Sequence, residues 1–188
     1  MPKAATVAGG GPSPRAEDSA EAEPPEPLNL AIVREGGDWS GFEPAEEAVR
    51  RAAAALGRRE RARLAPGSAA SVVLAADDLV QRLNRTYRGK DAPTNVLSFP
   101  YRAPPGAAGE DAAYLGDVVL AAETVAREAA QRGLSPLHHL QHLVVHGLLH
   151  LLGHDHDSEA SAAAMEALEA EILAGIGVAD PYAAPPGS

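Results

Sequence analysis

The chain has 188 residues, 45% of them hydrophobic, enough for one domain with its own core, and it has no cysteine, which excludes disulfides and thiolate metal sites. No apolar run approaches the ~20 residues that cross a bilayer, and the N-terminal segment shows no charged-then-apolar leader pattern, so a cytoplasmic location is expected. The net charge of −10 hides a division: residues 1–49 carry 3 basic and 10 acidic side chains, residues 50–102 carry 11 and 4, and residues 103–188 carry 2 and 12.

A basic middle between acidic flanks points to a local polyanion-binding patch, against the plainer reading of a solvated, arginine-rich helix surface. Residues 1–27 are rich in Pro, Ala, Gly and Glu and read as a disordered tail. Residues 28–34 read as a first strand, and Gly36-Gly37-Asp38 as a turn. Trp39 and Phe42 read as packing anchors. Pro44 opens a helix with an apolar stripe at Val49, Ala52, Ala53 and Leu56, which Gly57 is expected to end. After a loop at Pro66-Gly67, residues 69–75 form a strand. Asp77 or Asp78 is expected to cap the next helix, which ends near Tyr87. The stretch 84–100 begins as a helix end and donor-rich loop, and becomes a strand over 94–99. A Gly- and Ala-rich loop over 103–113 leads to a strand at 114–120 and a helix at 123–132, stopped by Gly133. Ser135-Pro136, an N-cap followed by a first-turn proline, opens the next helix. Asp157 or Ser158 caps a last helix striped by Ala162, Met165, Leu168, Ile172 and Leu173, and 179–188 is expected to be a flexible tail. About four strands and about five helices, not strictly alternating, give an α+β fold with a mixed sheet.

The densest signal is the run from His146 to His156. Residues four apart share a helix face, so His146 and His150 present two imidazoles side by side. Gly153 can end the helix and turn the chain so that His156 returns to the same point. Two imidazoles from a helix and a third from the following turn describe a zinc site with a position left open. The spacing is also that of the extended zincin protease motif, and the helix is expected to be zincin-like. The protease's glutamate, however, is replaced by Gly147, which disfavours peptide hydrolysis.

At this run and at 84–100 the sequence resembles the YbeY family of bacterial endoribonucleases. The family's His-Gly-x-Leu-His-Leu-x-Gly-x-Asp-His appears at 146–156, its Asn-x-x-Tyr-Arg-x-x-Asp-x-Pro-Thr-(Asp/Asn)-Val-Leu-Ser-Phe-Pro at 84–100, and its Leu-Gly-Asp at 115–117. The resemblance covers about 28–178. It implies one Zn2+ per chain on His146, His150 and His156, and an RNA-backbone contact at Arg88. It also implies a single-strand-specific endoribonuclease of ribosomal RNA processing, including maturation of the small-subunit rRNA 3′ end, and of ribosome quality control. The partners implied are ribosomal RNA, the small ribosomal subunit, an assembly GTPase and a small-subunit ribosomal protein. One departure stands beside the ligands: His154 occupies a position usually held by tyrosine and offers a competing imidazole.

Zinc on three neutral imidazoles keeps its charge, and a guanidinium offers a planar fork to phosphate oxygens, so Arg88 and His146 are expected to carry catalysis. Arg85 and Lys90 are further candidate phosphate contacts, and Asn95 and Ser98 candidate cleft residues. Asp155 is expected to orient a histidine. His138 and His142 read as structural or surface residues, and His139 as exposed. Two other readings stand beside the nuclease: a ribosome-assembly factor whose zinc is structural, and a metallopeptidase, which Gly147 opposes.

Overall fold

A computed structural model describes residues 27–109 and 113–183; of the expected tail over 1–27 all but Pro27 lies outside the described residues, as does 184–188. In chain order the elements are β1 (Asn29–Glu35), α1 (Ala45–Arg59), β2 (Ala69–Ala75), α2 (Asp77–Arg88), β3 (Val96–Pro100), β4 (Tyr114–Ala121), α3 (Ala122–Arg132), α4 (Pro136–Leu151) and α5 (Glu159–Ala174). The four strands lie in the order β1-β2-β4-β3. The first three are parallel, and β3 runs antiparallel at the edge. The fold is thus α+β with a mixed sheet.

Strand alternation divides the core in two. Ala70, Val72 and Leu74 of β2, with Val118 and Leu120 of β4, face a large apolar cluster built with α1, α4 and α5. Val73, Ala75, Val119 and Ala121 face the other way, where Val80 of α2 and Leu97 of β3 close a smaller cluster. The apolar run of α4 explains its place: Leu140, Leu143, Val144, Val145, Leu148 and Leu149 are all buried, so this helix lies inside the fold with neighbours on several sides.

Three local expectations change in the folded chain. Helix α1 continues past Gly57 to Arg59, because the bare Gly57 backbone packs on Pro27 and Leu28; a Cβ there would stand 3.0 Å from the Pro27 ring. Asp77 does not cap its own helix. Its carboxylate accepts from the Thr124 amide (2.9 Å) and hydroxyl (2.8 Å) of α3, while Glu123 accepts from the Asp77 amide (2.8 Å), so two helix starts satisfy each other. Ser135 stands at the N-cap of α4, but its side chain makes no capping bond. Ser158 caps α5 as expected, in a reciprocal box with Ser161. Of the segment 179–188, residues up to 183 are described, and there Tyr182 folds back so that its hydroxyl donates to Glu169 of α5.

Candidate metal centre and its cleft

Helix α4 carries His146 and His150 one turn apart, and Gly153 (φ +85°) turns the chain so that His156 returns. One ring nitrogen from each lies within 4.8 Å of the others, and the Nε2 atoms of His146 and His150 are 3.1 Å apart. Three nitrogens ~2.0–2.1 Å from a tetrahedral ion would sit about 3.4 Å from one another, close to this spacing.

The far side of each ring decides what the near side can do. His146 Nδ1 lies 2.8 Å from a Glu169 oxygen, and His150 Nδ1 lies 2.9 Å from the His154 carbonyl. Burial opposes ionisation of Glu169, but bonds from His142, His146 and Tyr182 outweigh it and bring its carboxyl down to about 2. A carboxylate and a carbonyl can only accept, so both Nδ1 atoms carry the proton. In the neutral rings the two facing Nε2 atoms therefore hold the lone pairs, an arrangement suited to a cation. Burial, and then the neighbouring imidazoles of His146 and His156, lower the His150 pKa and keep it in the neutral, ligating form.

The competing imidazole is turned elsewhere. His154 Nε2 lies 3.2 Å from a carboxylate oxygen of buried Glu60, which also receives Arg63 at 3.1 Å. His154 thus serves the cluster through its backbone carbonyl, and His156 supplies the third nitrogen. Asp155 does not orient a histidine. Its carboxylate accepts from the Asp157 amide at 3.3 Å, and the orienting role falls to Glu169. His139 is buried rather than exposed, bound to Glu128 at 2.9 Å, and burial lowers its pKa against the pull of that carboxylate. His142 is likewise buried and bound to Glu169 at 3.0 Å, and so is structural. Glu169 went unnamed in the sequence, although a carboxylate between Met165 and Ile172 on the apolar stripe of the last helix was a signal.

Gly147 has a steric reason. A Cβ there would lie 2.5 Å from Val118 Cγ1 and 3.2 Å from Ser98 Oγ, and the Ser98 hydroxyl donates to the Gly147 carbonyl at 3.1 Å. The helix is pressed against the sheet where the protease motif places its glutamate, so no carboxylate fits.

Beside the cluster opens a cavity of about 410 Å³, lined by Arg88, Ser98, Pro100, His150 and the turn residues Gly153 to Asp157. Arg88 is the last residue of α2, which Gly89 ends in the left-handed conformation (φ +68°). The loop beyond is tied back by Asn84 Nδ2 donating to the Ala92 carbonyl at 2.7 Å. Among the described residues Arg88 has no ion-pair partner, and its cationic head is free to face the cavity. Arg85 and Lys90 are exposed at the same helix end but do not line the cavity, and Arg85 leans towards Asp91 at 4.0 Å. Asn95 is spent on structure: its amide donates to Glu128 (2.9 Å) and its oxygen accepts from the Val96 amide (2.7 Å).

A histidine helix lies on a mixed α+β sheet, with a guanidinium at the wall of an open cleft, the arrangement of a candidate hydrolase site. Comparison with known proteins gives the family. A family model described as Endoribonuclease YbeY matches residues 42–177, and the chain belongs to that family, whose members are nucleases that hydrolyse phosphodiester bonds. It is 46% identical over 166 residues to Endoribonuclease YbeY of Parvibaculum lavamentivorans, covering 84% of this chain and 86% of that one. It is 48% identical to the Rhodospirillum rubrum protein of that name over 166 residues (84% and 82%) and 53% identical to the Halorhodospira halophila protein over 116 residues (62% and 75%). A Thermotoga maritima protein known from a solution structure aligns at 23% identity with a TM-score of 0.46, over 85% of this chain and 99% of that one.

Proposed function

We propose that the chain is a zinc-dependent, single-strand-specific endoribonuclease acting in ribosomal RNA processing, including the small-subunit rRNA 3′ end and ribosome quality control. The observation that carries this reading is the convergence of one ring nitrogen each from His146, His150 and His156, with two Nε2 atoms 3.1 Å apart, beside a cavity that Arg88 lines. His146, His150 and His156 would hold a divalent ion, which would supply Lewis-acid polarisation of a phosphoryl oxygen and lower the pKa of water there towards ~7.

The chain's own residues do the rest. Glu169 and the His154 carbonyl hold the rings in the ligating tautomer. Arg88 offers a planar fork to the non-bridging oxygens, compensating charge that grows in the transition state. The tight seat of Gly147 leaves this helix position without a carboxylate to serve as general base. The substrate is bound by phosphate and shape rather than by base-edge readout. The proposed partners are precursor ribosomal RNA within the small subunit, a small-subunit ribosomal protein and an assembly GTPase.

The test is Arg88→Ala. Cleavage of an unstructured RNA falls at least ~100-fold, as when a positioned charge donor is lost, while zinc content by elemental analysis stays equal to that of the unaltered protein. Undiminished cleavage would remove Arg88 from the mechanism. A second reading, an assembly factor with a structural metal, draws on His142 and His146 sharing buried Glu169 within the core. It expects His150→Ala to unfold the chain and the intact protein to turn over no RNA.

A further inference from the structure

Large exposed apolar side chains are few among the described residues: Val33, Tyr87, Tyr101 and Tyr182. Tyr182 is held by its hydroxyl bond to Glu169. Tyr87 is the most open, at 67% exposure, and its chain neighbour Arg88 lines the cavity. It immediately precedes Arg88, and its ring packs edge-on against Phe99 with centroids 5.2 Å apart. Phe99 is flanked on β3 by Ser98 and Pro100, which both line the cavity, as Arg88 does. Tyr87 is therefore one residue from the cavity wall along α2, and its ring lies on Phe99 at the α2 side of the edge strand. The Phe99 contact braces the ring while leaving most of its surface open. Arg85 and Lys90, both exposed, flank it in sequence on either side of Arg88.

We propose that Tyr87 is a stacking platform for one unpaired nucleobase of the RNA strand whose phosphate Arg88 holds. The proposal rests on the nuclease reading above and adds a base subsite to its phosphate subsite. An aromatic face accepts any base, so the platform adds affinity without sequence preference. A base held in a duplex is stacked on its neighbours and cannot reach the ring, so the same contact selects against paired RNA. Composition alone argues against base stacking, because aromatics are only 4% of the chain; what matters is that an exposed one stands beside the arginine.

The test uses the zinc-loaded full chain and a short adenylate oligomer, intact or with one abasic nucleotide placed at each position in turn. Tyr87→Ala raises KM about ten-fold, the size expected for one stacked base, and Tyr87→Phe, which keeps the ring, rescues it. In the unaltered protein one abasic position raises KM by a similar factor, and in Tyr87→Ala that position causes no further loss. A Tyr87→Ala protein with unchanged KM, or one that loses as much again at that position, overturns the platform and leaves the nuclease standing. Should Tyr87→Ala fail to fold, the abasic series on the unaltered protein decides: no sensitive position overturns the proposal. Absence of any RNA cleavage by the unaltered protein removes the nuclease reading and the platform with it.

Discussion

A carboxylate without exposed surface loses its hydration and must recover that loss from bonds inside the protein. At Glu169 the recovery comes from His142, His146 and the Tyr182 hydroxyl, three donors converging on one group. Because the carboxylate fixes the His146 tautomer, its charge bears on the metal site without touching the metal. Glu169→Gln removes the charge and lets the His146 ring turn. Zinc affinity then falls ~10–100-fold, as for other groups that orient a ligand, read by competition with a chelating dye. At this scale the sequence was informative about the ligands and silent about their support. His146, His150 and His156 stand at spacings that only a helix and a turn can bring together. Glu169 lies 23 residues beyond His146, and its one local mark is its place on the apolar stripe of the last helix, which does not say what it would meet.

Between elements, α4 is pressed on the sheet where Gly147 meets Val118 and Ser98. Gly147→Ala overpacks this contact and lowers unfolding stability by about 1–3 kcal/mol; in chemical denaturation, adding Val118→Ala recovers part of the loss by making room. An unchanged midpoint in the single variant would mean that the helix is free to lift from the sheet. The elements themselves were legible, since their hydrophobic periods are clear and prolines and glycines punctuate them. Their ends were less so. Gly57 looked like a stop for α1 and instead serves a close contact with Pro27 and Leu28. Asp77 looked like a cap for α2 and instead caps α3, 47 residues away, a pairing visible only once the two helices meet.

At the scale of the whole molecule, global stability should respond to mild acid. Burial holds the His139 pKa below its ordinary 6.5 despite the Glu128 carboxylate. The unfolded chain then takes up a proton at a higher pH than the folded one. Stability is full above about pH 6.5 and declines as pH falls from there through the lower folded-state value. Thermal unfolding of metal-free protein between pH 8 and 5 should show this decline, and His139→Gln should flatten it. A slope unchanged in the variant would place the sensitivity elsewhere. The division of charge along the chain acts on this scale as well. The basic stretch holds Arg88 at the cleft, but most of its other arginines are spread over α1 and the turn after it, and Arg59, Arg63 and Arg82 are engaged by Glu60, Glu171 or Asp78.

The bond from α5 to the histidine helix also orders events during synthesis. The three imidazoles are translated by residue 156, yet the carboxylate that orients His146 arrives only with residue 169. A nascent chain halted between those points carries every ligand with His146 unbraced. Under the proposed reading, a tight hold on the ion is deferred until the last helix has docked and brought Glu169 to His146.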